Sequence, residues 1–354
     1  MRAAVWYGRK DVRVTGVPDP PDPPPGQIQV EVAQCGICGT DLHEYLGGPI
    51  FIPFHRPHSL TGVTAPVIIG HEMSGRVVAV GDDVEDFSPG DRIAACPIIG
   101  CGHCRWCRSG SMGQCDQVAF LGLSWSGGAL AERVNLFTYQ CFHLPDEIDD
   151  GAGALVEPFS ATVRAVARGQ NDPEDHVAIV GSGPIGLMAL MAARIRGAKS
   201  ITVIEVAEKR IAAAKLCGAD EVINPSREDP EKRAREITDG QGFDVVMECA
   251  GLRTTAVMAG KLTRTRGRLV VMGVFEEPAP VDLSDLVFRE KDITGSLGGY
   301  GVYPETIRMM TDRRFRSDVL ITDRIGLDAL VEEGYHGLLH ETDKHVKILV
   351  QPSS

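Results

Sequence analysis

Residues 176–205 read HVAIVGSGPIGLMALMAARIRGAKSITVIE, and this stretch decides the fold. An apolar run typical of a buried strand ends at Val180, and a glycine-rich turn, an apolar helical segment and a second strand follow. In that context Gly181 makes a tight turn, Gly183 lets the backbone approach a pyrophosphate, and Gly186 lets the helix pack closely on the strand. The stretch therefore predicts a dinucleotide-binding βαβ unit with the phosphates at the helix N-terminus.

The residues next to these glycines extend the predicted cofactor site. Pro184 and Ile185 complete the turn, and Glu205 ends the second strand nineteen residues after the last glycine. A carboxylate at that position can accept hydrogen bonds from ribose hydroxyls and repel a 2′-phosphate. The pattern predicts NAD rather than NADP, although Lys209 and Arg210 follow closely and could soften the repulsion.

Strand-like runs recur further along the chain, with helical segments between them. They lie at residues 221–223, 244–248, 268–274 and 292–296. With the two strands of the βαβ unit they make six, the number of strands in a complete doubly wound parallel sheet. We therefore predict an α/β fold in which this domain follows a mainly β first domain, to which the chain returns at its end.

The first half of the chain contains a candidate catalytic metal site. Cys38 offers a thiolate, His71 a neutral nitrogen and Glu157 a carboxylate. One Cys, one His and one Glu, with a fourth position left for water or substrate, is the open tetrahedral pattern of catalytic zinc. Glu72 offers a second carboxylate, so the sequence leaves open which acid is the resting ligand. It also leaves open that Cys38 and His71 are ordinary buried residues and Glu157 a surface acid.

Two polar side chains follow the first of these ligands closely. Thr40 and His43 lie two and five residues after Cys38, so a hydroxyl and an imidazole can form a proton path from the site to solvent. His55 and His58 lie in a segment rich in glycine and proline, and we predict that they are solvated loop residues.

Four further cysteines have the spacing C-x2-C-x2-C-x7-C. They are Cys101, Cys104, Cys107 and Cys115. Four thiolates can close a tetrahedron around one zinc ion with no open position, which predicts a structural site. An iron–sulfur cluster is the alternative, but the last spacing is seven rather than three and no proline follows the fourth cysteine. A nucleic-acid zinc ribbon is disfavoured because this lobe has no basic stripe.

The composition fits a globular protein with no nucleic-acid or membrane partner. The chain has 354 residues, 43% of them hydrophobic, and a net charge of -12, which disfavours binding to nucleic acid or anionic membranes. Glycines interrupt the longest apolar stretch, so it does not predict a membrane span, and the first seven residues lack the apolar run of a signal peptide. Together with cysteines spaced for metal binding, these features predict a cytoplasmic protein.

Over essentially its whole length, the chain resembles the zinc-dependent medium-chain dehydrogenase/reductase superfamily. The resemblance rests on Cys38, the triplet Gly70-His71-Glu72, the four-cysteine lobe and the glycine turn, which occur in the superfamily's order. Around Leu42-His43-Glu44-Tyr45 and in the loop from Gly48 to Pro53, the sequence resembles most the branch that acts on 2,3-butanediol. Sorbitol and threonine dehydrogenases are the next relatives.

The resemblance implies the architecture and the residue roles. It implies a GroES-like catalytic domain formed by residues 1–156 and 298–354, with a Rossmann domain at 157–297. By analogy the catalytic zinc ligands are Cys38, His71 and Glu157, with Glu72 as an alternative ligand. Asp41 orients His71, Thr40 bonds the substrate oxygen and His43 passes the proton out. Val274, Ser296 and Gly298 contact the nicotinamide, and Arg210 contacts the adenosine ribose. The four-cysteine lobe is then the structural zinc site.

The implied activity is the reversible oxidation of a secondary alcohol to a ketone. It would use NAD and two zinc ions per subunit, with a small-molecule alcohol or ketone as the binding partner. (R,R)-2,3-butanediol and acetoin are the leading pair, and sorbitol or L-threonine is the alternative substrate. The superfamily also implies a homodimer or homotetramer. Two alternatives remain on the same fold. A zinc-free quinone reductase or crystallin-like binding protein would lack the metal ligands present in this sequence. A catalytically silent zinc scaffold would have the ligands but would turn over no alcohol.

Overall fold

The computed structural model describes residues 1–341 and 343–353, and the chain divides into two compact units. The first unit comprises Met1–Glu157, Tyr303–Ile307 and Ile321–Ser354, and the second Pro158–Val302 and Arg308–Leu320. The predicted limits differ from these at two places. Glu157 lies in the first unit rather than in the Rossmann domain, and residues 298–302 and 308–320 lie in the second unit rather than in the catalytic domain.

Contacts within the second unit explain the placement of residues 308–320. The ring of Phe315 lies 4.6 Å from that of Phe159, and the backbone N–H of Arg316 donates to Met191 Sδ at 3.1 Å. Phe315 and Phe159 are both buried, so this short segment packs with the unit that contains its partners.

Short strands and helices alternate along the described part of the chain. The strands are β1 (Arg2–Gly8), β2 (Asp11–Gly16), β3 (Gln27–Gly36), β4 (Val67–Ile68), β5 (Glu72–Val80), β6 (Arg92–Ala95), β7 (Ile98–Ile99), β8 (Ala119–Phe120), β9 (Arg133–Phe137), β10 (Cys141–His143), β11 (His176–Val180), β12 (Ser200–Ile204), β13 (Glu221–Ile223), β14 (Phe243–Glu248), β15 (Thr263–Val271), β16 (Asp292–Gly295), β17 (Ile321–Gly326) and β18 (Lys347–Gln351). The α-helices are α1 (Gly39–Gly47), α2 (Arg105–Arg108), α3 (Asp150–Ala154), α4 (Val156–Arg168), α5 (Pro184–Ile195), α6 (Glu208–Leu216), α7 (Pro230–Ile237), α8 (Arg253–Leu262), α9 (Leu283–Phe288), α10 (Tyr303–Met310), α11 (Ser317–Leu320) and α12 (His336–His340).

The second unit is built on the predicted six-stranded sheet. Its strands lie in the order β13-β12-β11-β14-β15-β16, and every neighbouring pair is parallel. The first strand of the unit is therefore central and the strand order reverses beside it, which is the arrangement of a doubly wound nucleotide-binding sheet. The buried cluster on this sheet includes Val180, Phe243 and Val246. The prediction of an α/β fold with six strands is confirmed.

One strand of this sheet ends earlier than predicted. The run at 268–274 predicts a strand to Val274, but β15 ends at Val271. The backbone N–H groups of Met272 and Gly273 both donate to the carbonyl of Glu248, at 2.9 and 3.1 Å. These bonds turn the chain away from the sheet, so Val274 lies in a loop and is 62% exposed.

The first unit is mainly β. A seven-stranded sheet has the path β10-β6-β5-β3-β18-β17, with β9 also paired to β3, and a three-stranded sheet has the order β2-β1-β4. Its core contains Trp6, Ile28, Met73, Leu130 and Tyr335, each at most 2% exposed. Among the described residues of the whole chain, no helix is both long and apolar enough to cross a membrane.

Candidate active site

The register of the large sheet in the first unit assembles the predicted catalytic ligands. β3 and β5 are antiparallel and pair Gly36 with Glu72, so the end of one strand meets the start of the other. Cys38 follows β3 by two residues and His71 directly precedes β5. The space beside Gly36 is taken by the Glu72 carboxylate, so any side chain at position 36 would collide with it.

Cys38, His71 and Glu72 form a group that fits a metal ion. One ligand atom from each lies within 4.8 Å of the others. Burial lowers the pKa of His71, but the facing Cys38 and Asp41 raise it more, so its pKa lies well above the usual value. A pocket that stabilises positive charge on a histidine is suited to a cation, and thiolate, imidazole and carboxylate are the donors zinc accepts.

The second nitrogen of His71 faces the carboxylate of Asp41, the residue to which the resemblance assigns the orientation of His71. His71 Nδ1 lies 3.8 Å from Asp41 Oδ1, and both atoms are buried without a hydrogen-bond partner among the described residues. The other oxygen, Asp41 Oδ2, accepts a hydrogen bond from the backbone N–H of Cys38 at 2.9 Å. Asp41 thus fixes the start of α1 and lies behind the imidazole, which leaves Nε2 for the ligand group.

Glu72 has a partner that sequence reasoning missed. Lys347 Nζ lies 2.8 and 2.7 Å from the two oxygens of Glu72 and also donates to the carbonyl of Ile37 at 3.0 Å. Burial lowers the pKa of Lys347, but Glu72 and Cys38 raise it, with a net rise. The lysine is placed by register, because β18 pairs Leu349 with Gly36 and Lys347 starts that strand. A lone lysine opening the apolar run KILV was the available signal, since a buried charge needs a partner.

Glu157 is near this group but is not one of the three close ligands. It is half-buried at the start of α4, and the group defined by mutual distances of 4.8 Å does not contain it. The pKa of Glu157 is raised to about 7, mainly by burial, with His71 acting to lower it and Glu72 to raise it. The carboxyl is therefore close enough to both for electrostatic interaction. Its assignment as a zinc ligand stays a prediction.

Helix α1 carries Thr40 and His43, and proton transfer through these two side chains stays a prediction. It begins directly after Cys38, and Thr40 Oγ1 lies 3.6 Å from Cys38 Sγ. Thr40 and His43 are three residues apart, so they share one face of the helix. Both are half-buried, as a path that reaches solvent requires.

Glu44, one residue after His43 on α1, binds the backbone of the following loop. It is 1% exposed, and its carboxylate accepts hydrogen bonds from the backbone N–H groups of Ile50, Phe51 and Ile52. The carboxylate is therefore directed into the protein and holds a loop.

The four-cysteine lobe forms a second, separate metal-binding group. One sulfur atom from each of Cys101, Cys104, Cys107 and Cys115 lies within 4.8 Å of the others. The backbone N–H of Cys107 donates to Cys104 Sγ at 3.4 Å and lowers the pKa of Cys104 to about 6. Each of the chain's ten cysteines is free of a disulfide, and His55 and His58 lie outside both groups. Four sulfur donors fit a closed structural zinc site.

The glycine turn has the local geometry that the sequence predicted. Gly181 follows β11 with φ of 89°, a left-handed conformation that glycine adopts without strain. A Cβ on Gly186 would collide with the carbonyl of Gly181, whereas a Cβ on Gly183 would have no described protein atom within 4 Å. Pro184 is the first residue of α5 and Ile185 the second, so the open side of Gly183 lies at a helix N-terminus, where a phosphate is favoured.

Glu205 follows β12 as predicted, but four donors from the protein already occupy its carboxylate. The backbone N–H and hydroxyl of Ser182 lie 2.9 and 3.1 Å from Oε2, and the N–H groups of Val206 and Ala207 lie 2.7 and 3.0 Å from Oε1. Burial raises the pKa of Glu205, but these N–H groups and Arg210 lower it below its usual value. A carboxylate accepts about four hydrogen bonds, so a ribose hydroxyl would have to share or displace one donor.

The remaining predicted cofactor residues lie on the same edge of the sheet in the second unit. Val274 follows β15, Ser296 and Gly298 follow β16, and Arg210 lies in the first turn of α6, after β12. The Ser296 hydroxyl is buried without a hydrogen-bond partner among the described residues. The carboxyl ends of strands are where open parallel sheets bind nucleotides, but contact of these four residues with a cofactor stays a prediction.

This fold and these two metal-binding groups define a zinc-binding, nicotinamide-dependent oxidoreductase. Two family models match the chain: the alcohol dehydrogenase GroES-like domain over residues 24–146 and the zinc-binding dehydrogenase over residues 184–312. The chain belongs to the zinc-dependent alcohol dehydrogenases of the medium-chain dehydrogenase/reductase superfamily, and the predicted superfamily is confirmed. It is an alcohol-oxidising enzyme of the zinc type.

Individual relatives match over the full length. The chain is 38% identical to the (R,R)-butanediol dehydrogenase of Bacillus subtilis (strain 168), covering all of both chains, and 32% identical to a sorbitol dehydrogenase of the same organism, covering all of this chain and 98% of the relative. Its structure is similar to that of 2R,3R-butanediol dehydrogenase from Bacillus subtilis, with a TM-score of 0.93 and 99% of each chain covered. It is also similar to that of a Sinorhizobium meliloti 1021 protein bound to NADP, with 30% identity, a TM-score of 0.87 and 99% of each chain covered.

Proposed function

We propose that this enzyme oxidises (R,R)-2,3-butanediol to acetoin with NAD, and reduces acetoin in the reverse direction. The observation that supports the reaction is the buried group of Cys38, His71 and Glu72 at the start of the helix that carries Thr40 and His43. It combines a metal-binding set with a hydroxyl and an imidazole for proton transfer. The relative with 38% identity is named for this diol.

Each residue of the site has a chemical role in the proposal. When bound, zinc supplies Lewis-acid polarisation of the alcohol oxygen, and the oxidised nicotinamide supplies the hydride acceptor. Cys38 and His71 would hold the metal, with Glu157 or Glu72 as the third protein ligand. Thr40 Oγ1 would accept the proton of the alcohol, and the imidazole of His43 would pass it to solvent. The products are then ketone, reduced cofactor and one proton.

The substrate assignment is supported by the loop that follows α1. Ile50 and Phe51 are 55% and 45% exposed, so the first unit presents two large apolar side chains near the end of this helix. An apolar surface favours a small methyl-flanked alcohol over a polyol with many hydroxyl groups. Sorbitol is the second candidate, because a relative with 32% identity is a sorbitol dehydrogenase.

The proposal includes NAD and two zinc ions per chain. The ionised Glu205 beside the glycine turn opposes a 2′-phosphate, which favours NAD, while Lys209 and Arg210 act in the opposite direction. The two separate ligand groups, one with three close ligands and one with four sulfurs, favour one catalytic and one structural zinc.

We also propose a homodimer or homotetramer located in the cytoplasm. In the second unit, Leu283, Val287 and Phe288 of α9 are 66%, 71% and 85% exposed. Three large apolar side chains on one short helix favour contact with another copy of the chain. Light scattering coupled to size exclusion would give the mass, and a monomer at micromolar concentration would contradict the assembly.

Product analysis tests the reaction. Zinc-loaded protein is incubated with (R,R)-2,3-butanediol and NAD, and the product is identified by chromatography while NADH absorbance is followed. Acetoin formed in a one-to-one ratio with NADH supports the proposal. If the enzyme oxidises sorbitol but forms no acetoin from the diol, the proposed substrate class would change from vicinal diols to polyols.

A further inference from the structure

Glu44 is a buried carboxylate that the proposed mechanism does not use. It lies on α1, one residue after His43, and is 1% exposed. Its Oε1 accepts from the backbone N–H groups of Ile50 at 3.2 Å, Ile52 at 3.1 Å and Phe51, and its Oε2 lies 3.1 Å from the same N–H of Ile50. Hydrogen bonds to an ionised acceptor are about twice as strong as neutral ones, so this carboxylate fixes three consecutive peptide groups.

The fixed loop presents apolar side chains outward. Ile52 is 3% exposed and belongs to the core, but Ile50 and Phe51 are 55% and 45% exposed. Core packing therefore anchors only the end of the loop, and Glu44 holds the backbone of the two residues that do not pack inward. Exposed apolar side chains on a rigidly held loop are typical of a binding surface.

Glu44 also joins this loop to α1, the helix that carries Thr40 and His43. The indole N–H of Trp6 donates to the carbonyl of Glu44 at 3.2 Å, and the backbone N–H of Lys10 donates to that of Tyr45 at 2.7 Å, so the end of α1 is fixed. An α-helix rises about 1.5 Å per residue, which places the end of α1 roughly 13 Å along the axis from Cys38. The loop is therefore attached to the helix that begins directly after Cys38.

Gly48 shows how closely the loop approaches the carboxylate. A Cβ at this position would collide with both the carbonyl and Oε2 of Glu44. Glycine at position 48 therefore lets the chain turn directly over Glu44, so the loop backbone and the Glu44 carboxylate are in close contact.

We infer that Glu44 is a positioning residue that sets substrate preference by holding Ile50 and Phe51 as the apolar wall for the carbon chain of the alcohol. The inference rests on the proposed function in one respect, that the alcohol binds at the Cys38–His71 group. Glu44 acts through the loop and not by contact with a substrate hydroxyl, because its carboxylate is buried and bonded to the loop backbone.

Three alcohols separate these possibilities in Glu44→Ala and Glu44→Gln variants. 2-Propanol is one carbon shorter than 2-butanol, 2-butanol has the chain length of the diol without its second hydroxyl, and (R,R)-2,3-butanediol has both the chain length and the second hydroxyl. We expect Glu44→Ala to raise KM for 2-butanol and the diol about tenfold, with KM for 2-propanol and kcat for all three changed less than about twofold. Glu44→Gln, which keeps the shape and one acceptor oxygen, should give a smaller shift of the same pattern.

The controls address folding. Asp83→Asn is a carboxylate-to-amide control at an exposed position. Asp83 Oδ1 accepts a hydrogen bond from the backbone N–H of Gly26, just before β3, and the substitution should leave all three KM values unchanged. If Glu44→Ala fails to fold, Glu44→Gln carries the test, and its rise in KM should still be confined to 2-butanol and the diol.

Two results would overturn the inference. A fall in apparent kcat for all three alcohols with unchanged KM would show that Glu44 only stabilises the fold. A loss confined to the diol, with 2-butanol spared, would show direct contact with the second hydroxyl. If wild-type enzyme prefers sorbitol to every diol, the proposed substrate fails, but the comparison of 2-propanol with 2-butanol still tests Glu44.

Discussion

Replacing Lys347 with methionine perturbs the buried ion pair behind the candidate metal site. Lys347 and Glu72 are 4% and 1% exposed, and Nζ lies 2.8 and 2.7 Å from the two carboxylate oxygens. The raised pKa of Lys347 keeps the amine charged at neutral pH. Lys347→Met therefore leaves the Glu72 carboxylate buried without its counter-charge and removes the hydrogen bond to Ile37.

The size of the effect follows from this burial. Removing one partner of a buried ion pair costs about 3–5 kcal/mol, because the remaining charge stays desolvated and unpaired. A unit of this size loses about 2–4 °C of transition temperature per kcal/mol, so the first unit should melt roughly 6–20 °C lower. Differential scanning calorimetry of metal-loaded protein at neutral pH measures the shift.

A second substitution separates charge from packing. Glu72→Gln added to Lys347→Met removes the uncompensated charge, so the double variant should recover more than half of the lost transition temperature. A transition of Lys347→Met within about 2 °C of wild type would refute the reasoning, since it would mean that the pair contributes less than about 1 kcal/mol.

Three further substitutions have distinct expected outcomes. Cys104→Ser should reduce zinc from two ions to one per chain and lower the transition temperature, because structural zinc contributes folding energy; elemental analysis showing two ions would contradict it. Cys38→Ser should abolish turnover while calorimetry shows the fold retained, and retained activity would exclude Cys38 as a ligand. Ser182→Ala removes the hydroxyl that donates to Glu205, so a ribose hydroxyl can take its place. KM for NAD should therefore fall about fivefold, the equivalent of one hydrogen bond of roughly 1 kcal/mol. An unchanged or higher KM would show that ribose does not compete with Ser182.

The sequence predicted the parts of the fold that depend on local pattern. Apolar runs and glycine spacing located β11 and the turn after it, since buried parallel strands are continuous apolar segments and only glycine fits at Gly181 and Gly186. The end of β15 was not predictable, because the turn at Met272 and Gly273 depends on bonds to Glu248 in a neighbouring strand. Likewise, the packing of residues 308–320 with the second unit depends on contacts distant in sequence.

Residue types located the metal-binding groups, but the partners of their charges came only from the structure. Ligand spacing predicted the four-cysteine group, and Cys38 and His71 are brought together as expected. Lys347 lies 275 residues from Glu72, and only strand register places it there. Glu44 could not be assigned from sequence either, because a carboxylate beside His43 is equally compatible with a solvent, substrate or backbone partner.

The kinetic comparison of substrates tests the central claim most directly. Zinc-loaded enzyme with NAD is assayed by NADH absorbance with (R,R)- and (S,S)-2,3-butanediol, sorbitol and L-threonine, with and without a chelator. We expect the highest kcat/KM for the (R,R) diol and loss of turnover after chelation. Sorbitol or threonine above both diols would contradict the substrate, and full activity in metal-free protein, or no turnover of any alcohol by zinc-loaded protein, would contradict the account as a whole.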